Sequence, residues 1–203
     1  MAADIEQGDV TQGATLTGVV ADQLYVLSTS RINLTTTFAR SVDGAPMLVP
    51  LADMSATLKN FHQHYNLYPL WICPHRHYDK EGHFLRRPLH PRFEDPEHGK
   101  YDMYVDLGAY GIPQKVLDKQ PFDIVHENRA VEDHVHSVNG FQMLYADTYR
   151  TREEFRAMFD HTHYDAMREK YGGVDAFPEV FDKVKKRGFS LEAYLASKKD
   201  KRV

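Results

Sequence analysis

The stretch VNGFQMLYADTYRTREEFRAMFDHTHYDAMREKYGGVDAFPEVFDK (138–183) sets the reading of the whole chain. Its first part predicts a strand over 141–146, started by the turn pair Asn139-Gly140. Helices follow. Thr151, with Glu154 three residues on, makes a capping box, and Phe155, Met158 and Phe159 form the apolar stripe behind it. Tyr164, Met167 and Tyr171 mark a second helix, stopped by Gly172-Gly173. AFPEVFDKV (176–184) starts a third with Pro178 in its first turn. SLEAYLAS (190–197) begins after Gly188 with Ser190 as a cap, although Ala193 stands where a capping box places Glu or Gln.

Working outward towards the N-terminus, MLV (47–49) is a short apolar run. Residues 51–64 set Leu51, Met54, Leu58 and Phe61 at helical spacing, an amphipathic helix. Residues 67–73 are apolar and aromatic, a buried strand. Residues 74–100 hold prolines and many charges without periodicity and read as a long loop. DMYVDL (102–107) alternates Met103, Val105 and Leu107 against Asp102, Tyr104 and Asp106, a half-exposed strand. Residues 121–138 read as a helix with Ile124, Val125, Val131, Val135 and Val138 largely on one side. The succession is βαββαβ, the ferredoxin-like pattern of an α+β domain with an antiparallel sheet and helices on one face. Upstream, residues 14–38 favour strand, and SVDGAP (41–46) is a turn cluster.

The chain has 203 residues, 42% hydrophobic and 27% charged, an ordinary globular composition. A net charge of −4 gives no electrostatic footprint for nucleic acid. The tail KKDKRV (198–203) reads as a solvated helix end or a small membrane-surface patch. The single cysteine, Cys73, excludes a disulfide within the chain, and its apolar run predicts a buried small hydrophobe and not a reactive thiol. No apolar run reaches transmembrane length and MAADIEQGDVTQG has no signal-peptide pattern, so on its own sequence the chain is expected to be soluble and cytoplasmic.

Twelve histidines include the pairs His62/His64, His75/His77, His134/His136 and His161/His163. Two pairs fall on helices, where i and i+2 diverge, and no Cys cluster or HExxH accompanies them. They read as polar surface residues, and no metal is expected. GAYG (108–111) is followed by Pro113 and no apolar helix, so it is a turn and not a dinucleotide fingerprint. Asp53, Asp106, Glu153 and Glu154 read as caps and surface charges.

Taken with LYPLWICP (67–74) and YDMYVDLGAYG (101–111), the run at 138–183 closely resembles the C-terminal part of the Diminuto-type Δ24-sterol reductases, the 24-dehydrocholesterol reductase family, over about residues 41–187. Those are flavoenzymes of the vanillyl-alcohol-oxidase type. The resemblance implies a substrate (cap) domain at 41–147, an unassigned stretch at 1–40, and a helical segment at 148–203 that packs on a FAD domain outside this chain. It implies FAD and NADPH as cofactors, a sterol substrate reduced at its C24–C25 double bond, an endoplasmic reticulum membrane location, and a FAD-binding domain in cis or in trans. It also implies that the strand leaving the cap domain returns past the flavin. Gly140, Gln142, Tyr145, Asp147 and Tyr149 are then the expected cofactor contacts, with Tyr145 as proton donor or orienting hydroxyl. Packing of Tyr145 and Tyr149 in a core is the equally open reading. The run Met143-Leu144-Tyr145-Ala146 departs from the His-Trp-x-Lys signature of some such oxidases, so no lysine is available there to stabilise reduced flavin. Tyr68, Trp71, Met103 and Val105 would line the sterol pocket, or belong to a hydrophobic core. The rival to half an enzyme is a non-catalytic ferredoxin-like interaction module.

Overall fold

A computed structural model describes residues 47–109 and 111–199, so the expectations for 14–38, for 41–46 and for the tail beyond 199 lie outside the described residues. In chain order come β1 (Met47–Pro50), a 3-10 turn (Leu51–Asp53), α1 (Met54–His64), β2 (Leu70–Tyr78), β3 (Phe93–Asp95) and β4 (Gly99–Ala109). Then follow α2 (Gln114–Leu117), α3 (Ile124–Ser137) and β5 (Phe141–Gln142). The C-terminal helices are α4 (Arg152–Met158), α5 (Thr162–Lys170), α6 (Gly173–Ala176), α7 (Val180–Val184) and α8 (Leu191–Lys199). The fold is α+β. The five strands among the described residues form one antiparallel sheet in the order β2-β4-β1-β5, with β3 paired to the start of β4. No helix among the described residues is long and apolar enough to cross a membrane.

The register assigns side chains to faces. Val49 lies opposite Val105 and Met47 opposite Leu107, and with Ala109 they meet Phe61 of α1 and Val131 and Val135 of α3 in one core. Leu48, Tyr104 and Phe141 point the other way, into a second core with Phe155, Met158, Phe159, Phe181 and Val184. The sheet is therefore covered on both faces, not on one. Asp102, Tyr104 and Asp106, expected to face solvent, are all buried. The reason is non-local: the phenylalanines that cover Tyr104 arrive some fifty residues later in the chain.

Local signals hold where they are strong. Asp123 caps α3, its carboxylate accepting from the N–H groups of Val125 and His126. At the other end Asn139 takes φ 56°, and the Gly140 N–H donates to the Val135 carbonyl at 2.8 Å, closing the helix. Thr151 and Glu154 form the full reciprocal capping box at the start of α4.

Four expectations need correction. β2 is displaced to Leu70–Tyr78 and is mostly exposed, because it lies at the end of the strand order among the described residues. Cys73 is consequently exposed and not buried. The loop at 74–100 contains the end of β2, all of β3 and the first residues of β4; its charged side chains hide strand periodicity because few of them are buried. The strand at 141–146 shrinks to Phe141–Gln142, after which the Ala146 N–H turns back to the Met143 carbonyl.

Gly108 is demanded by a close approach. A Cβ there would stand 2.1 Å from Cζ2 of Trp71, whose indole crosses the strand at this point. Gly108→Ala is expected to destabilise the fold by about 2 kcal/mol or more in urea unfolding, the usual cost of overpacking. Because Trp71 is the chain's only tryptophan, displacement of its ring should also red-shift the emission. Unchanged emission and stability would show that the indole yields freely.

Candidate functional site

The face of the sheet that carries Tyr104 continues past the covering helices to Asp106, Gly108, Trp71, Cys73 and His75, a consequence of the pairings Trp71 with Gly108, Cys73 with Asp106 and His75 with Tyr104. Cys73 and His75 are exposed there, while Asp106 is only 9% exposed. Burial pushes the Asp106 carboxyl above the usual carboxylate range, against a weaker downward pull from His75 and from a hydrogen bond with Trp71. Its Oδ1 has no hydrogen-bond partner. Asp106 is thus a half-matched carboxyl beside an indole on this face of the sheet. The sequence reading passed over Asp106 as a surface charge. No local signal marks it, because Asp106 continues the polar alternation of Asp102 and Tyr104.

The segment following α3 is held from several sides. Gly140 has no room for a side chain: a Cβ would meet the Leu48 carbonyl at 2.8 Å and Cγ1 of Val135 and Val49 at 2.9 Å. Gln142 is 4% exposed, and its amide donates to the Asp147 carbonyl at 3.0 Å, closing the turn. Tyr145 sits on that turn, 59% exposed. Asp147 pairs with Lys186 at 2.6 Å. Tyr149 is buried edge-on against Phe189, and its carbonyl accepts from Arg129 at 2.7 Å. The five nominated residues are thus brought together along one turn, with Tyr145 as the most exposed of them.

The four nominated pocket residues are not brought together. Val105 is in the core under α1 and α3, and Met103 shares its side of β4. Trp71 faces the opposite side of the sheet, and Tyr68 is exposed, its hydroxyl 2.9 Å from Nδ1 of His62. The pleat separates them. Several histidines expected on the surface are instead built in: His77 and His161 are each 6% exposed, and His64 lies 2.6 Å from Glu127.

Beneath the turn lies Glu132, 2% exposed. Its Oε1 accepts from the Thr148 hydroxyl and the Tyr149 N–H, both at 3.0 Å, while Arg150 stands 3.8 Å from Oε2. Beside it Arg129 grips both oxygens of Glu154, at 2.7 and 3.1 Å, and holds that carboxyl down to about 2. Sequence reasoning missed Glu132 and Arg129, since nothing local marks a charged residue on the inner side of α3.

The chain is 41% identical over 138 residues to the human Delta(24)-sterol reductase, 39% over 143 residues to the Delta(24)-sterol reductase homolog dhcr-24 of Caenorhabditis elegans, and 32% over 145 residues to the Delta(24)-sterol reductase of Arabidopsis thaliana. These alignments take in 68%, 70% and 69% of this chain. The chain is homologous to the Delta(24)-sterol reductases. It spans 24–26% of the length of these relatives, in keeping with a resemblance to the C-terminal part of the family. No family model matches the chain, and no solved structure matches it.

The buried acid under the turn makes a pH prediction. Burial raises Glu132 from 4.5 to about 7. Below about 4.5 the group is protonated in folded and unfolded chain alike; above it the unfolded chain loses the proton first. Its contribution to stability is therefore full in acid and falls as pH rises through about 7, the reverse of the slope from histidines that burial pushes down, such as His134 and His136. Glu132→Gln keeps the acceptor and removes the titration. Relative to the parent it should gain up to roughly 3 kcal/mol between about pH 5 and 8. Urea unfolding across that range checks this, and a difference independent of pH would exclude Glu132 as the titrating group.

Proposed function

We propose that this chain is the C-terminal portion of an FAD-dependent, NADPH-using oxidoreductase that reduces the C24–C25 double bond of sterol side chains in sterol biosynthesis, at the endoplasmic reticulum membrane. The observation that carries the proposal is the 41% identity over 138 residues to the human Delta(24)-sterol reductase. The resemblance of the runs at 67–74, 101–111 and 138–183 to the family supports it. The sheet supports a ferredoxin-like cap domain: with β3 set aside, β4 and β1 are central and β2 and β5 flank them, as two interleaved βαβ units require.

At Gly108 and Gly140 the described residues leave no close approach for FAD. A dinucleotide needs backbone that its pyrophosphate can approach closely, yet the approach at Gly108 is taken by Trp71, and that at Gly140 by Val49 and Val135. We therefore assign the dinucleotide to a FAD-binding domain in cis or in trans, and to this chain the flank that meets substrate. Tyr145 is the proposed proton donor or orienting hydroxyl, its exposure on a pinned turn being what a contact with a separate domain requires. Gln142, Asp147, Tyr149 and Gly140 hold that turn. Asp106 lies beside Trp71 on the other face of the sheet from Val105, and of the nominated pocket residues the exposed Tyr68 is the better placed to reach a sterol.

Two measurements test this. The purified chain should be colourless after gel filtration with FAD; stoichiometric FAD retained by it would overturn the division of labour. Combined with a FAD domain of the family, the chain should support sterol reduction, and Tyr145→Phe should slow it by roughly two to four decades, the range of a positioned general acid. Because Tyr145 is largely exposed, its circular dichroism and melting should be nearly unchanged. A wild-type rate in the variant would remove Tyr145 from the chemistry. No reduction with any family FAD domain would favour the non-catalytic module.

A further inference from the structure

Between residues 84–87 and the junction of α4 and α5 lies an open cavity of about 550 Å³, lined by Arg86, Arg87, Arg156, Phe159, His161 and Thr162, with Asp160 and Asp165 also on its wall. The two aspartates are already engaged. Asp165 is paired with Arg156, and Asp160 accepts from the Thr162 N–H at 2.9 Å. Arg87 is paired with Asp79 and Glu81.

Arg86 differs from the other two arginines. Its guanidinium lies 5.9 Å from the centre of the Phe141 ring, and its Nε and Nη2 are buried with no hydrogen-bond partner. These two N–H groups form the edge that grips an oxyanion at two points. Buried donors of a charged group are almost always matched, so an unmatched pair beside a cavity is a sign of a ligand. Burial without a carboxylate also pulls Arg86 below its ordinary range.

A second group points to the same ligand. His161 is 6% exposed, packed against Phe84, Phe155 and Tyr164, and its Nε2 is buried without a partner. Nδ1 stands 3.3 Å from the Phe159 carbonyl, which assigns the ring proton to Nδ1 and leaves Nε2 as an acceptor. A ligand that satisfies both residues offers ionised oxygens to Arg86 and one hydroxyl to Nε2. A phosphate monoester does so as its monoanion, the form that prevails below about pH 6; an ionised carboxylate has no hydroxyl to give. The cavity is much larger than one phosphate, and Phe159 supplies an apolar wall for the remainder of an ester.

We infer that this cavity is a phosphate-monoester site, with the Nε–Nη2 edge of Arg86 as its anion fork and Nε2 of His161 as the acceptor for the ester's hydroxyl. The inference is independent of the sterol-reductase reading. It is tested on the 203-residue chain in phosphate-free buffer at about pH 5.5, where the ester is mainly the monoanion, by calorimetric titration and melting with phenyl phosphate, inorganic phosphate and benzoate at constant ionic strength. Phenyl phosphate is expected to bind saturably and raise the melting temperature. Arg86→Gln should weaken it at least tenfold, Arg86→Lys several-fold, and His161→Phe several-fold. In the absence of ligand Arg86→Gln should melt no lower than the parent, because it removes a buried charge with no counter-ion. Undiminished binding to Arg86→Gln, or no saturable binding of phenyl phosphate at millimolar concentration, overturns the site. Benzoate binding as tightly as phenyl phosphate overturns the phosphate assignment, and inorganic phosphate binding as tightly overturns the ester. Arg86→Gln melting well below the parent in ligand-free buffer also overturns it, since the guanidinium would then be satisfied by Phe141 alone.

Discussion

The second half of β4 has no solvent side. From Tyr104 to Ala109 every residue is buried, with α1 and α3 on one face and the C-terminal aromatic helices covering much of the other. Each polar or special residue in that run must therefore be accommodated individually. Tyr104 is matched by Asn139, whose side-chain amide donates to the phenol at 3.3 Å. Gly108 gives its missing side chain to Trp71. Asp106 is matched on one oxygen only, by Trp71. The upward push on the Asp106 carboxyl thus follows from its burial in the central strand.

The two cores are joined by charges as well as by the sheet. α3 belongs to the first core through Val131 and Val135, yet its Arg129 and Glu132 reach into the segment that leads to α4 and the second core. In that layer Glu154 serves two purposes: it accepts from the Thr151 N–H at 2.7 Å to cap α4, and it takes Arg129 from α3. Buried charges of this kind add little net energy when complete, but removal of one partner leaves a desolvated charge behind. The layer therefore fixes the orientation of the turn bearing Tyr145 more than it adds to stability.

What was legible in the sequence was what local chemistry determines. The stripe of Met54, Leu58 and Phe61, the valines of α3 and the box of Thr151 with Glu154 each announce themselves within one or two turns. Strands whose burial depends on distant residues did not. Asp102, Tyr104 and Asp106 look like a solvent face until Phe155, Phe159 and Phe181 are laid upon it. β3 and the end of β2 are charged and exposed, so no period betrays them. The turn from Gly140 to Tyr149 was legible through a family motif, whereas the charges beneath it were not. Arg86 and His161 lie in polar stretches where burial of a single side chain leaves no trace in the pattern.

β2 is nine residues long and stands at the outer end of the strand order, with most of its side chains turned to water. Among the described residues its outer edge has no strand partner, and such an edge is a template on which another chain can add a strand. Its sequence, LWICPHRHY, contains the usual obstacles to such addition. Pro74 has no N–H to lend, and Arg76 places a charge where a neighbouring strand would lie. At the other end of the order β5 offers only two residues for pairing. The composition of β2 therefore governs colloidal behaviour, the choice between dispersed chains and edge-to-edge stacking, more than it governs the stability of the folded unit.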